Sequence, residues 1–287
     1  MRIGVVFPQT EIGADPIAIR DYVQAAVDLG FVHLLAYDHV VGADVSIRPN
    51  WAGPYTSATM FHEVFILFGY IAALAPSLEL VSGVIILPQR QATLVAKQTA
   101  EIDVLTGGKF RLGVGIGWND VEYEALGMNF HNRGRRFEEQ IALIRALHTR
   151  DVISFEGRHH RVTAAGLNPM PIQRPIPIWI GGSVEAALKR AAEIADGFFP
   201  QRPLEGGWPA TIERMRGWAT AAGRDFAKFG IESRVNGGAG TPDDWRKSYD
   251  DWRALGATHV SVNTMGGGLR STSDHIARLR AVKATLG

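Results

Sequence analysis

The sequence contains no cysteine. That absence removes disulfide bonds, thiolate nucleophiles, zinc–cysteine sites and iron–sulfur clusters together. It accords with a reducing cytoplasm, which is the expected location. Charge of one sign is missing too: 30 Lys plus Arg stand against 29 Asp plus Glu, a formal net charge of +1. A field of that size does not draw in a polyanion, so neither nucleic acid nor a membrane surface is an expected partner. Long apolar runs are lacking. The longest, 64–75, covers about half of the ~20 residues that a transmembrane helix needs. The run in MRIGVVFPQT is too short for a secretory signal and meets Pro8. What remains is ordinary globular composition, 46% hydrophobic and 21% charged, which sets disorder aside.

Short β-branched runs recur at 3–7, 32–36, 78–87, 110–116, 176–180, 197–199, 231–235 and 259–262. Near-continuous apolar runs of this length suit parallel strands buried on both faces. Helical signals lie between them. Asp15 with Pro16, and Thr241 with Pro242, read as helix starts; Gly30 and Gly256 read as stops. Trp245, Tyr249 and Trp252 share one helical face, as do Phe137, Ile141 and Ile144, and Leu94, Val95, Ile102 and Leu105 make a further stripe. Strand–helix alternation implies right-handed parallel crossovers. Eight such units in this length predict an α/β fold, a single (β/α)8 TIM barrel spanning 1–287. Residues 152–155 and 158–162 around Glu156-Gly157 read as a β-hairpin inserted before the fifth strand.

Functional groups of such barrels gather where strands end at their carboxyl side. After the second strand stands Tyr37-Asp38-His39-Val40. An imidazole there can exchange a proton at neutral pH, or can simply hydrogen-bond a loop. The third strand contains Ser82-Gly83-Val84, whose glycine marks either a barrel-closing bend or a close approach by a ligand. The fourth ends in Gly113-Val114-Gly115-Ile116-Gly117-Trp118, where alternate glycines serve tight rim packing or backbone contact with a ligand. The fifth ends in Trp179-Ile180-Gly181-Gly182-Ser183 and opens a helix, a favourable place for phosphate; a plain Ser183 cap would not need two glycines before it. His159-His160 falls in the hairpin, where neighbouring side chains point oppositely and a solvated role is expected. Arg133, Arg135 and Arg136 read as a solvated helix start beside Glu138 and Glu139. Without a His-x-His pattern, no metal site is expected.

These segments resemble the luciferase-like monooxygenase superfamily, and more nearly its branch that uses the deazaflavin coenzyme F420. The ordered set adds Leu87-Pro88, Ala96-Lys97-Gln98, Ile102-Asp103, Leu105-Thr106-Gly107-Gly108-Lys109, Glu122 through Leu126-Gly127, Pro177-Ile178 and Asp196-Gly197 to the motifs above, and it covers about two thirds of the chain. The resemblance implies a ring standing across the barrel mouth on a bulged third strand, with a cis peptide at Ser82–Gly83 or Gly83–Val84. It implies Ser82, Gly83, Val84, Gly115, Gly117, Trp118, Gly181, Gly182 and Ser183 as cofactor contacts. His39 would sit by the redox face with Asp38 beside it, the two as catalytic residues. Sugar-phosphate dehydrogenases of the superfamily carry a Trp and a Glu where this chain has Ala43 and Trp118, which argues against that substrate class. Flavin-using luciferases often carry an Arg where this chain has Ile116, which weakens the FMN reading.

The expectation is therefore an F420-dependent oxidoreductase acting on a small organic substrate. The alternatives are an FMN-dependent monooxygenase fed by a separate reductase, with 51–55 as a lid, and a non-catalytic cofactor-binding protein. An aldolase is disfavoured because no lysine stands at a strand end. Relatives are commonly dimers, and seven Trp offer anchors for a homodimer interface.

Overall fold

The eight apolar runs pair side by side because each is buried on both faces, and the computed structural model describes residues 1–287. The strands are β1 (Arg2–Val6), β2 (His33–Ala36), β3 (Glu79–Ser82), β4 (Ile85–Ile86), β5 (Phe110–Gly115), β6 (Ile153–Glu156), β7 (Arg161–Ala165), β8 (Ile178–Gly182), β9 (Gly197–Pro200), β10 (Gly230–Asn236) and β11 (His259–Asn263). The ring runs β1-β2-β3-β5-β8-β9-β10-β11 and closes β11 onto β1, all parallel. The third barrel strand is broken. β3 pairs the lower half of β5 (Leu80 opposite Phe110), and β4 pairs the upper half (Ile85 opposite Val114). Gly83 and Val84 bulge between them. The antiparallel pair β6–β7 is the inserted hairpin.

The helices are α1 (Pro16–Asp28), α2 (Val64–Leu74), α3 (Ala92–Leu105), α4 (Asp120–Ala125), α5 (Arg133–Thr149), α6 (Glu185–Ile194), α7 (Gly207–Ala221), α8 (Pro242–Ala254) and α9 (Thr272–Leu286). Asp15 caps α1 by accepting from the Ile17 amide, and Thr241 with Asp244 forms a full capping box on α8. No helix is long and apolar enough to cross a membrane.

Three sequence expectations change. Of the expected stripe on α3, Val95 and Ile102 are buried as read, whereas Leu94 and Leu105 face outwards, each about half exposed; small residues such as Ala96 and Ala100 take their place and let the helix lie close to its neighbours. Arg133 and Arg136 are partly buried: Arg133 lies over the Phe130 ring at 3.6 Å, and Arg136 donates to the Pro88 carbonyl. His160 is not solvated, because Glu139 reaches the hairpin turn, accepts from the amides of Arg158 and His159, and pairs with His160 Nδ1 at 2.8 Å.

The main core of 58 residues lies between barrel and helices. A second apolar cluster, Val6, Leu35, Val81, Trp179 and Phe199, fills the barrel itself. Beneath it sits an ionic layer. Arg111 donates to Glu232 at 2.6 Å and to Glu79 at 3.1 Å, and its guanidinium lies 4.1 Å from the Trp179 ring. His33 and Ser261 also hold Glu232, at 3.1 and 2.5 Å. Trp179 fits because β9 and β10 contribute Gly197 and Gly230, where a Cβ would come within 2.4 and 2.0 Å of its indole.

Buried histidines link this packing to pH. Burial lowers the pKa of His148 to about 4, against the pull of the Ala96 carbonyl, and that of His259 to about 3. The unfolded chain takes up these protons near pH ~6.5. Their stabilising effect is therefore complete above that pH and is lost as the pH falls towards 4 and below. Thermal midpoints are expected to drop between pH 7 and pH 5, and His148→Gln should flatten that slope. A variant with the wild-type slope would refute this assignment.

Candidate active site

Two loops meet at the carboxyl rim of the barrel and place His39. The extended chain after β2 carries Tyr37 and His39 on one side and turns Asp38 to the other. Asp38 is buried. It accepts from the Ile86 amide at 3.1 Å and from Arg90 Nη2 at 2.7 Å, and Arg90 Nη1 continues to Glu63, the cap of α2. Burial pushes the Asp38 carboxyl up from its ordinary value, and Arg90 opposes it. Asp38 thus fastens the loop to the bulged third strand.

His39 is held by Glu122 from α4. Its Nδ1–H donates to Glu122 Oε1 at 3.0 Å, the Val40 amide donates to the same oxygen at 2.8 Å, and Gln89 Nε2 donates to Oε2 at 3.2 Å. Burial alone would raise the Glu122 pKa, yet the His39, Val40 and Gln89 contacts bring it below the ordinary value. A carboxylate only accepts, so the proton of neutral His39 sits on Nδ1 and the Nε2 lone pair is free. The side chain is 12% exposed. Tyr55, Phe61 and Trp118 surround the ring at centroid distances of 4.7, 4.6 and 5.8 Å. Trp51 leans on Trp118 at 5.7 Å and donates to the Tyr55 carbonyl, so residues 51–55 form a strap over this face. A cavity of about 330 Å3 lies between the chain after β2 and the segment 55–61, lined by His39, Val40, Gly42, Tyr55, Thr56 and Phe61.

The bulge lies on the same rim. The Gly83–Val84 peptide is cis and the Ser82–Gly83 peptide is not; Ser82 ties the bulge to β5 by donating to the Gly113 carbonyl at 2.9 Å and accepting from the Gly113 amide. Val84 projects between two strands: a Cβ on Gly115 or Gly181 would come within 2.7 or 2.9 Å of its methyls. Packing of Val84 therefore accounts for both glycines. Gly117 has a positive φ of 66° and lies against Ile86.

β5 and β8 pair with Val114 opposite Ile180. Three and four residues beyond that pair stand Gly117 and Trp118 on one exit, Ser183 and Val184 on the other. None of these four amides makes a hydrogen bond within the chain. Ser183 is exposed and is not the cap of α6; Val184 takes that position, and no side chain caps the helix. Gly182 lies half-buried against Ala187. The result is an amide-lined recess on two adjoining strand exits, neither of which carries Lys or Arg over 113–118 and 179–184, suited to a phosphate.

The rim thus gathers His39, the Gly83–Val84 bulge and the amide recess, whereas Asp38 faces Arg90. Sequence reasoning did not assign Glu122, Gln89 or Arg90 to the site. Glu122 stands among Asp120 and Glu124, and nothing in that run distinguishes the buried acid from its neighbours.

The family profile for luciferase-like monooxygenases matches residues 1–236. A protein of Mycobacterium tuberculosis is 34% identical over 181 residues, covering 63% of this chain and 61% of that one. An FMNH2-dependent dimethylsulfone monooxygenase of Pseudomonas putida is 33% identical over 178 residues, covering 61% of this chain and 48% of that enzyme. Among solved structures, a monooxygenase from Streptomyces bottropensis superposes with a TM-score of 0.82 at 19% identity, covering 100% of this chain and 98% of that one. An F420-dependent secondary alcohol dehydrogenase gives 0.79 at 15% identity, covering 100% and 99%. These structural likenesses speak to the barrel. The profile match, which takes in the His39 loop, the bulge and the amide recess, makes the chain a member of the luciferase-like monooxygenase family.

Proposed function

We propose that this protein is an F420-dependent oxidoreductase acting on a small organic substrate. The observation that carries the reading is the set of amides of Gly117, Trp118, Ser183 and Val184, which have no partner within the chain, on two strand exits whose residues 113–118 and 179–184 include no Lys or Arg. A phosphodiester such as that of F420 bears one negative charge, which backbone amides can hold alone. The terminal phosphate of FMN approaches two, as phosphate monoesters do near neutral pH, and calls for a cationic side chain. Ile116 stands where such a cation would be useful.

When bound, the deazaflavin ring would supply or accept two electrons as a hydride equivalent. The chain's own residues do the rest. Val84, backed by Gly115 and Gly181, would support the ring. Asp38 and Arg90 keep the bulge and the His39 loop in one register. Glu122 orients His39, whose Nε2 would give or take the proton that accompanies the electron pair. The strap around Trp51 and Tyr55 would limit water at that nitrogen.

The second reading, an FMN-dependent monooxygenase with a separate reductase, is favoured by the 33% identity to the dimethylsulfone enzyme. Competition between F420 and FMN for the purified protein, followed by absorbance and fluorescence, separates the two. F420 is expected to displace FMN at low micromolar concentration. Tighter FMN binding with oxygen-dependent product formation would transfer the assignment to the second reading, and binding of neither would remove both.

A further inference from the structure

Inward side chains of β10 alternate up the barrel: Gly230 makes room for Trp179, Glu232 enters the buried ionic layer, and Arg234 follows at the mouth. Arg234 is partly buried, and its guanidinium lies 5.1 Å from the centre of the Tyr37 ring. It makes no hydrogen bond and no ion pair. Every other arginine that is buried or partly buried has such a partner. Arg111 has Glu79 and Glu232, Arg90 has Asp38 and Glu63, Arg145 has Asp196 and Arg190 has Glu138. Arg133, Arg136, Arg224 and Arg278 donate to backbone carbonyls. Arg234 keeps contact with solvent and aims none of its N–H groups at an acceptor of the chain, which leaves the fork of its guanidinium open to a ligand.

No carboxylate of the rim is available to it. Asp38 faces Arg90 and Ile86, and Glu122 is taken by His39, Val40 and Gln89. Glu11 is held by the Gly266 amide and by His275. The neighbouring strand ends contribute neutral groups: Gln9 after β1, Gln201 after β9 and Asn263 at the end of β11. Gln9 is itself buried, with Oε1 lacking a partner. Arg234 lies over the ring of Tyr37, and Tyr37 stands two residues before His39 on the chain leaving β2, so both groups are carried to the same rim of the barrel.

We propose that Arg234 receives the carboxylate of the substrate, which makes the substrate an organic anion whose reacting atom is then presented to His39. The fork of a guanidinium matches a carboxylate through two parallel hydrogen bonds, and it fixes orientation as well as position. This rests on the reading of the barrel mouth as the reaction site, and it adds the charge of the molecule that enters.

The test titrates wild-type protein and the variants Arg234→Met and Arg234→Lys with butyrate, benzoate and succinate, and with butyramide and benzamide as neutral counterparts. Tryptophan fluorescence and thermal shift report binding, and F420 and FMN are titrated separately. Saturable binding of at least one carboxylate is expected in the wild type, weakened tenfold or more in Arg234→Met and less in Arg234→Lys. The amides should bind poorly to all three, and cofactor affinity should stay within about threefold. Carboxylate binding equal in wild type and Arg234→Met, or absent from the wild type, overturns the proposal. A tenfold loss of cofactor affinity in Arg234→Met reassigns the anion to the cofactor and likewise overturns it. Should Arg234→Met unfold, Arg234→Lys decides by the same comparison. Failure of the wild type to bind either cofactor strikes the proposed function and leaves the carboxylate result to be read by itself.

Discussion

Replacing Arg111 by leucine is expected to lower the free energy of unfolding by about 3–5 kcal/mol, the usual cost of removing one member of a buried ion pair. Arg111 is 2% exposed at its side chain, and Glu232, its partner at 2.6 Å, is 1% exposed. Without the guanidinium, Glu232 retains only His33 and Ser261, and Trp179 loses the cation lying over its ring. Burial by itself would push the Glu232 pKa up. Arg111 and His33 override it and hold the carboxyl far below the ordinary range. The stability contributed by Glu232 is therefore present above its unfolded value of pH ~4.3 and is lost only as the pH falls into the strongly acid range. Removing both charges, as Arg111→Leu with Glu232→Leu, should be much less harmful than Arg111→Leu alone, because the fully buried carboxylate goes with its partner and Glu79, the other acid on Arg111, keeps Arg2 at 2.9 Å. Urea unfolding at pH 7 provides the measurement. A single variant within about 1 kcal/mol of wild type would show that water reaches the layer.

His39→Gln is expected to slow turnover by about 100- to 10,000-fold, the range associated with one general acid or base. Cofactor affinity should hardly change, since the proposed platform and amide recess lie on other strands. Glu122→Gln should cost less. Its amide oxygen can still accept from Nδ1, but Val40 and Gln89 lose a carboxylate partner and the loop is held less firmly. Stopped-flow measurement of cofactor oxidation and reduction, beside equilibrium binding, separates the two effects. If His39→Gln turns over at the wild-type rate, the proton passes elsewhere and His39 only anchors its loop.

Much of the barrel was legible because its strands are buried twice over, which leaves unbroken apolar runs that no helix stripe imitates. The third strand read as one run over 78–87, and its break showed only as Gly83 among branched residues. Helix starts with Asp15-Pro16 and Thr241-Pro242 were equally plain, since a capping side chain and a proline act locally. The orientation of α3 was not. Val95 and Ile102 face inwards as their hydrophobicity suggests, but close packing gives the rest of that face to Ala96 and Ala100 and leaves Leu94 and Leu105 outside. His39 was legible from its place at a strand end. The partners that give it a fixed tautomer were not, because Glu122 lies 83 positions away and its approach is a property of the closed ring. Arg234 sits inside a strand run next to Val235, and its isolation is visible only once every neighbour has been placed.

The apolar plug of Val6, Leu35, Val81, Trp179 and Phe199 makes the barrel a cup with a solid floor. Molecules cannot pass through it, so entry and exit share the carboxyl rim. If a large ring occupies the depth of the cup, a smaller guest that binds the empty cup bars its way, and turnover requires that guest to arrive after the ring and depart before it. Steady-state kinetics should then follow a compulsory order, with the organic anion as the second molecule in and the first out.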